Sequence, residues 1–531
     1  MSKSTIPYNE TGYFSQLMCD YLAEKPELKY FYGRFPKLQN FKAQLKDKKV
    51  SVRSQSRTTL REQLQHQYKG FTVSEETQKN ITSLSEENTF TITTGHQLNL
   101  FTGPLYFLYK IFSVINLSEQ LNAEYPEHHF VPVYWMATED HDFEEINYFN
   151  FEDKKIVWNR PDGGAVGEFS TNGLTEVAGE TATAFGQSEY GKRLQQLFTQ
   201  AYTKHKNLAD ATRYLGNELF KEYGLVIIDG NDTKLKKQFI PYAEQELTEH
   251  LSHKKVTETT EKLLESGYSE QVHPREINLF YLTEGIRERI VEAEEKFYVN
   301  ETDLVFTKEE LFRELQEHPE RFSPNALLRP LYQEVILPNL CYVGGGGELA
   351  YWFQLKDYFQ AVEVPFPMLL LRNSVLLMPE KLSKKLQKLE VSVKRLFQKQ
   401  ADLKTDFTHQ ISKIDIDFTK QREHLQQQFK DLYELAKKTD ASFLGAVGAQ
   451  EKKQLNGLDT LEKRLLKAQK RKLSDQLERL IAIQDQLFPR QSLQERNTNF
   501  SEYYLAYGDR LLTTLKSELT PLDLKFTVIE L

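Results

Sequence analysis

An apolar segment, FVPVYWMAT, ends directly in four polar residues: Glu139, Asp140, His141 and Asp142. Three carboxylates and an imidazole this close together repel one another unless a cation, an amine or a metal neutralises them. The cluster therefore indicates a bound ligand. The alternative is a group of surface acids that caps a helix continuing to Tyr148. A metal is the weaker ligand hypothesis, because no second histidine lies at a typical ligand spacing.

A second polar motif, Gly95-His96-Gln97, follows the segment TITT in the same way. Glycine lets the backbone turn closely, and the N-terminus of a following helix offers unpaired N–H groups to an anion. His96 could donate to a phosphate or polarise a leaving group; the alternative is a turn glycine followed by a polar cap. The residues assigned to this binding group are Gly95, His96, Gln97, Asn99, Thr102 and Gly103.

A third motif is the four-glycine run Gly344–Gly347, which precedes a predicted helix. Its backbone could bind a phosphate or a carboxylate, but it is not a Walker A loop, because no Lys-Ser/Thr pair follows. Upstream, Arg329 is either a bidentate carboxylate ligand or an ordinary arginine at a helix terminus. Candidate binding residues from this region are Arg329, Gly345, Gly347, Glu348 and Tyr351, although the tyrosine also suits a core position.

All three motifs come at the ends of predicted strands. The first two belong to one β-α-β unit, whose helix begins near Leu105 and has an apolar face suited to packing on a sheet. Further apolar runs, LVIID ending at Asp229 and Leu340–Val343 before the glycines, predict two more buried strands. Ligands of open parallel sheets bind at the carboxyl ends of the strands. The first two motifs could therefore serve one site.

The pattern of the chain predicts four regions around this sheet. An α/β core is interrupted by helical and hairpin insertions, and polar helices precede it. We assign residues 1–88 to an N-terminal helical layer, 89–375 to the core, about 151–205 and 232–320 to insertions, 379–488 to a coiled coil and 489–531 to a C-terminal helix and strand that pack back on the core.

The coiled coil is predicted from apolar residues three and four apart between Pro379 and about Lys438, and again from Leu455 to Leu487. The segment DASFLGAVGA carries glycines suited to a tight connection, so an antiparallel hairpin is the simplest arrangement. Its longer arm would span roughly 85 Å. A seam that long needs a second copy to cover it, which predicts a homodimer.

Composition excludes several classes of protein. The formal net charge of -8 argues against a nucleic-acid binder. Two cysteines, Cys19 and Cys341, give no disulfide framework, and the N-terminus has no apolar signal segment. No run approaches the ~18 apolar residues of a membrane span. We therefore expect a cytoplasmic protein without a membrane anchor.

Four segments, TGHQLNLFTGPLY, PVYWMATEDHDFEEIN, EHPERFSPNALLRPLYQE and GGGGELAYW, stand in this order before the coiled coil. Together they resemble the cysteine-adding enzymes of bacillithiol biosynthesis. The resemblance implies a Rossmann-like parallel-sheet core with inserted connecting segments and a coiled coil that forms the dimer. It also implies a ligase that joins the carboxyl group of cysteine to the amino group of glucosaminyl malate.

Amide formation from a free carboxylate needs activation, most simply by ATP with Mg²⁺. Within the resemblance, we assign Asp140, His141 and Asp142 to catalysis and amine handling, and Glu139 to binding. The GHQ turn and Arg329 would then face phosphate or the malate carboxylates. No protein-bound metal site is predicted. Two alternatives remain: a nucleotide-dependent ligase of the same fold for another amine and carboxylate, and a non-catalytic coiled-coil scaffold.

Overall fold

The computed structural model describes residues 3–161 and 163–531. The chain divides into two compact units. The first contains the chain up to Leu377 together with Gln494–Ile529 and Leu531, and the second contains Met378–Leu493 and Glu530.

The described residues form fifteen strands: β1 (Lys3–Ile6), β2 (Thr89–His96), β3 (His129–Met136), β4 (Tyr148–Phe151), β5 (Lys154–Val157), β6 (Val226–Asp229), β7 (Leu279–Thr283), β8 (Ile286–Ala293), β9 (Lys296–Val299), β10 (Val305–Phe306), β11 (Phe322–Pro324), β12 (Asn339–Gly344), β13 (Met368–Leu371), β14 (Val375–Met378) and β15 (Phe526–Glu530).

The helices of the first unit, again within the described ranges, are α1 (Gln16–Leu22), α2 (Phe41–Ser51), α3 (Ser54–Gln67), α4 (Glu75–Ser83), α5 (Tyr106–Glu124), α6 (Phe143–Ile146), α7 (Leu174–Phe185), α8 (Glu189–Lys204), α9 (Leu208–Phe220), α10 (Thr233–Lys236), α11 (Ile240–Glu249), α12 (Leu251–Glu265), α13 (Lys308–Glu317), α14 (Arg329–Ile336), α15 (Gly346–Phe353) and α16 (Lys356–Ala361). The second unit contains α17 (Glu380–Lys388), α18 (Gln400–Ile411), α19 (Thr419–Ala436), α20 (Ala441–Lys472) and α21 (Ser474–Leu487), and α22 (Phe500–Tyr507) and α23 (Arg510–Glu518) return to the first unit.

The core is a five-stranded parallel sheet in the order β13-β12-β2-β3-β6. Every residue of β2 is buried, as expected of a strand covered on both faces. From β2 the chain goes to β3 and β6 on one side and later to β12 and β13 on the other. The direction of winding therefore changes between β2 and β12, which is where open α/β sheets bind ligands.

Long insertions separate the strands of this sheet. The β4–β5 hairpin and α6–α9 lie between β3 and β6 in the chain, and α10–α14 with a second sheet lie between β6 and β12. That second sheet is antiparallel, in the order β10-β9-β8-β7-β11. The N-terminal segment is not helical throughout, because it begins with β1, which pairs with β15 near the end of the chain.

The second unit corrects the expected coiled coil in two respects. The first arm is not one continuous helix, because it is interrupted between α17 and α18 and again between α18 and α19. In the second interruption, side chains compete for the backbone: Asp415 accepts from the N–H of Asp417, and Asp417 accepts from the N–H of Thr419. The predicted 85 Å arm is therefore wrong.

The connection of the hairpin also differs from the expectation. It spans residues 437–440, and the glycines of DASFLGAVGA lie inside α20. Asp440 begins that helix as its N-cap, accepting from the N–H groups of Ser442 and Phe443. This strong cap fixes the helix start before the glycines, so Gly445 and Gly448 are tolerated within it.

Among the residues that the structure describes, no helix combines the length and apolar character needed to cross a membrane.

Candidate active site

A cavity of about 650 Å³ opens at the carboxyl ends of the parallel strands. Gly95 and His96 from the end of β2, Glu139 to His141 from beyond β3, and Tyr342 of β12 contribute to its wall. The antiparallel second sheet supplies the opposing wall through β7 and β8. The cavity thus lies at the change of winding direction, as parallel-sheet topology predicts.

Gly95 holds a crowded position at the end of β2. A Cβ atom there would lie 3.1 Å from the Tyr342 hydroxyl oxygen and 3.9 Å from Nη1 of Arg329. The carbonyl oxygen of Gly95 accepts a 2.6 Å hydrogen bond from Nζ of Lys110, on α5. A larger residue at this position would require Tyr342 to shift by a few tenths of an ångström.

Lys110 and Glu348 form a buried ion pair across the site, with 2.6 Å between Nζ and Oε1. The carboxylate also accepts from the Tyr342 hydroxyl at 2.8 Å and from the N–H of Gly345 at 3.1 Å. Burial opposes its charge, but Lys110 and these donors outweigh burial and hold the pKa of Glu348 below its ordinary value. Burial lowers the pKa of Lys110 despite this partner. The pair ties α5, β12 and α15 together in the cavity wall.

His96 is 6% exposed and packs against the rings of Tyr106 and Phe107. Burial, assisted by the nearby charge of Lys110, holds the pKa of His96 well below its ordinary value. Its Nε2 atom has no hydrogen-bond partner within the described part of the chain. A neutral imidazole with an unused polar atom suits ligand binding better than proton transfer.

The acidic cluster separates into residues with different surroundings. Glu139 pairs with Lys236, whose side chain is 2% exposed. Asp140 accepts from Nε2 of Gln97 at 2.9 Å and from the N–H of His141 at 2.8 Å, so the two motifs meet directly. Asp142 is exposed and accepts from the N–H of Glu145 as the N-cap of α6. It is not part of the cavity wall.

Four arginines face the same cavity: Arg275, Arg287, Arg289 and Arg329. With Lys110 they give five cationic side chains against three carboxylates in the wall. Arg287 is 9% exposed and donates to Oγ of Ser323 at 3.2 Å and to Nδ1 of His141 at 2.8 Å. Within the described residues, neither Arg275 nor Arg289 forms a salt bridge, so the cavity is suited to an anionic ligand.

A smaller cavity of about 290 Å³ adjoins the first, and Gln97 and Tyr106 contribute to both. Asn99 and Gly103 lie in its wall, while Thr102 does not. Phe101 and Thr102 have positive φ angles of 48° and 68°, a strained conformation for side chains of their type. The Asn499 amide stabilises this turn by donating to the carbonyl oxygens of Phe101 and Gly103.

The structure places the sequence candidates in three groups. Those in the wall of the larger cavity are Gly95, His96, Gln97, Glu139, Asp140, His141, Arg329, Glu348 and Tyr351. Asn99 and Gly103 line the smaller cavity. Asp142, Thr102, Gly345 and Gly347 line neither. Gly345 has an ordinary φ of −74°, so its conformation does not require glycine, although a Cβ there would lie 3.2 Å from Oε1 of Glu348. A Cβ on Gly347 would have no neighbouring atom within 4 Å.

Sequence reasoning missed Lys110, Arg275, Arg287, Arg289 and Tyr342. Lys110 interrupts the otherwise apolar stretch YFLYKIFSVINL, which was the available signal for a buried charge. Arg287 and Arg289 alternate along β8 and therefore share one face of the strand. Nothing in the sequence showed which surface that face covers.

Two family models match the chain. One, described as "Bacillithiol biosynthesis BshC, N-terminal Rossmann-like domain", matches residues 1–373. The other, described as "Bacillithiol biosynthesis BshC, C-terminal coiled-coil domain", matches residues 375–531. The chain belongs to the BshC family. The expected α/β fold, with a Rossmann-like core and a coiled-coil domain, is confirmed.

Relatives in the BshC family match over the full length. A protein of Christiangramia forsetii is 56% identical over 100% of this chain and 99% of its own, and one of Flavobacterium johnsoniae is 55% identical over 100% of both. A protein of Cytophaga hutchinsonii is 38% identical over 98% of this chain and 97% of its own. All three carry the name "Putative cysteine ligase BshC", which agrees with the expected reaction class. A solved structure described as a "putative arginyl t-RNA synthetase" from Campylobacter jejuni aligns with 9% identity and a TM-score of 0.20 over 83% of this chain and 97% of that one, too weakly to support an argument.

Proposed function

We propose that this chain is the ligase that joins the carboxyl group of cysteine to the amino group of glucosaminyl malate in bacillithiol biosynthesis. The observation that carries the proposal is one cavity whose wall contains both carboxylates, among them Glu139 and Asp140, and four arginines. An amine acceptor that also carries two malate carboxylates needs both kinds of group.

Among the carboxylates of the wall, Asp140 is the best-placed group to bind the ammonium form of the sugar amine and to take its proton. Its carboxylate is fixed by Gln97 and by the N–H of His141, so it is held in one orientation before substrate binds. Glu139 is less available, because its carboxylate is paired with Lys236. Removal of a proton makes the amine nucleophilic toward an activated carboxyl carbon.

Among the arginines of the wall, Arg289 and Arg275 are proposed to bind the malate carboxylates, because guanidinium groups match carboxylates in a bidentate geometry. The excess of cations in the wall also fits the polyphosphate of ATP, for which Arg329 and the unpartnered Nε2 of His96 are the candidate contacts. ATP with Mg²⁺ would supply activation of the cysteine carboxylate. The protein residues named here bind and orient the reactants around that step.

The test is product formation by the purified full-length chain. Incubation with cysteine, glucosaminyl malate and Mg-ATP is expected to yield a product with the mass of bacillithiol, and nucleotide analysis shows whether AMP or ADP is released. Omission of each component in turn is the control. Absence of product with every nucleotide tested would contradict the proposal. Product formed only with another amine and carboxylate would favour the alternative ligase.

A homodimer is proposed through the helical second unit. Several large apolar side chains near the tip of the α19–α20 hairpin are 40–54% exposed: Leu432, Leu435, Phe443 and Leu444. A self-complementary contact lets one such surface cover the same surface of a second copy. A cytoplasmic location is proposed as well, since both cysteines are free thiols.

A further inference from the structure

The hydrogen bond between Arg287 and His141 determines where the imidazole carries its proton. Nη1 of Arg287 lies 2.8 Å from Nδ1 of His141. A guanidinium group has only donors and stays charged in proteins, so it can only donate in this contact. Nδ1 of His141 must therefore be the acceptor and carry no proton, and the proton of the neutral ring is on Nε2.

The neighbouring carboxylate does not compete for Nδ1. Oδ1 of Asp140 lies 3.7 Å from that nitrogen, beyond hydrogen-bond distance, and already accepts from the N–H groups of His141 and Asp142. The other oxygen, Oδ2, accepts from Gln97. A rotated ring would present a C–H group to the guanidinium, which is the less favourable arrangement.

Arg287 itself is held in place on β8. Its Nε donates to Oγ of Ser323 at 3.2 Å, and its guanidinium carbon lies 4.2 Å from the centre of the Phe280 ring. The His141 ring packs on the same phenyl group, with 5.7 Å between ring centres. The second sheet therefore fixes both the orientation and the hydrogen-bonding pattern of a residue that follows β3 of the first sheet.

We infer that Arg287 is a positioning residue that fixes His141 as the Nε2–H tautomer, so that His141 offers the cavity a hydrogen-bond donor and not a base. Nε2 forms no hydrogen bond with the residues that the structure describes and is available to a ligand. In the ligase reaction, on whose proposal this role rests, the matching acceptor is the oxygen of the cysteine carboxyl group. That oxygen gains negative charge as the amine attacks, and a fixed donor stabilises it. Removal of the amine proton then falls to Asp140.

The tautomer can be measured without any enzymatic activity. In full-length protein with ¹⁵N-labelled histidine, long-range ¹H–¹⁵N correlations distinguish the two neutral tautomers, and the His141→Gln spectrum assigns the signal. His141 is expected to show the Nε2–H pattern, which Ser323→Ala should retain and Arg287→Leu should replace with a mixture of tautomers. A Nδ1–H or doubly protonated ring in the unsubstituted protein would overturn the inference, even if Arg287→Leu fails to fold.

The role of the donor is tested by comparing two amides. When Gln replaces His141, its side-chain nitrogen can occupy the position of the histidine Nε2 atom and donate from there. The side-chain nitrogen of Asn, one bond nearer the backbone, corresponds to the position of Nδ1 instead. Loss of one such donor costs about 10²–10³ in kcat. We therefore expect His141→Gln to keep kcat within about tenfold of the unsubstituted enzyme and His141→Asn to lose at least about 100-fold. Equal losses in both variants would overturn the donor role. A chain that makes no product at all would contradict the proposed function, while the spectrum would still decide the tautomer.

Discussion

The Lys110–Glu348 pair offers a quantitative test of the site architecture. The Lys110 side chain is 4% exposed and that of Glu348 is 27% exposed. Removing one member of a buried pair costs about 3–5 kcal/mol, because the remaining charge has lost its partner. Lys110→Met leaves a carboxylate that is partly exposed to water and still accepts hydrogen bonds from Tyr342 and Gly345. We therefore expect this substitution to lower the free energy of unfolding by about 2–3 kcal/mol. Glu348→Gln leaves the more deeply buried ammonium group of Lys110 without its partner, and we expect the free energy of unfolding to fall by about 3–4 kcal/mol.

These free energies convert into small shifts of the melting temperature. The first unit has roughly 400 residues, and its unfolding entropy is near 0.9 kcal/mol/K, so each 1 kcal/mol lowers Tm by about 1 °C. Differential scanning calorimetry should show Tm lower by about 3 °C in each single variant. The destabilisation of the double variant should be smaller than the sum of the two single destabilisations by ~2 kcal/mol, because neither charge is left unpaired. Strict additivity of the two substitutions would refute the ion pair as described.

Three further outcomes are expected. Gly95→Ala should lower kcat at least about tenfold, because its Cβ would crowd Tyr342 and displace the cavity wall. Gly347→Ala, with open space around the new Cβ, should leave kcat and Tm unchanged. Equal effects of the two substitutions on kcat in a steady-state assay would contradict the geometry. Burial raises the pKa of Glu502 from 4.5 to about 7, so ionisation disfavours the folded state as pH rises from about 4.5 to 7. Glu502→Gln should therefore raise the free energy of unfolding above pH 7 by up to ~3 kcal/mol and leave it unchanged near pH 4. A difference in Tm between the variant and the unsubstituted protein that does not change with pH would exclude ionisation of Glu502 as the cause. Leu435→Glu should shift sedimentation from dimer to monomer without changing helix content, whereas an unchanged dimer would place the interface elsewhere.

Much of the parallel sheet could be predicted from local sequence. The runs TITT, VPVYW, LVIID and LCYV correspond to β2, β3, β6 and β12, because strands buried on both faces are nearly continuously apolar. The parallel order then brings the residues after β2 and β3 to one edge of the sheet, where Nε2 of Gln97 lies 2.9 Å from Oδ2 of Asp140. Motifs at strand ends could thus be assigned to a common region before any tertiary contact was known.

Contacts from inserted and distant segments could not be predicted in this way. Arg287 reaches His141 only because the antiparallel sheet covers the strand ends, and 146 positions separate the two residues. Asp142 carries the same side chain as Asp140, but the chain turns between them and α6 begins at Phe143, so Asp142 lies outside the cavity wall for a local reason that the residue types did not indicate. The interruption of the coiled coil depends on Asp415 and Asp417, whose side-chain bonds to the backbone outweigh the apolar periodicity.

The most direct test of the proposed active site compares Asp140→Asn with Asp142→Asn in the bacillithiol product assay. The two substitutions are chemically identical and two residues apart, but Asp140 faces the cavity and Asp142 caps an exposed helix turn, a role that Asn also fills. We expect Asp140→Asn to lower kcat by about 10²–10⁴, the range of a lost acid–base group, and Asp142→Asn to stay within about threefold. Full activity in Asp140→Asn, or equal losses in both variants, would contradict the assignment of this cavity as the active site.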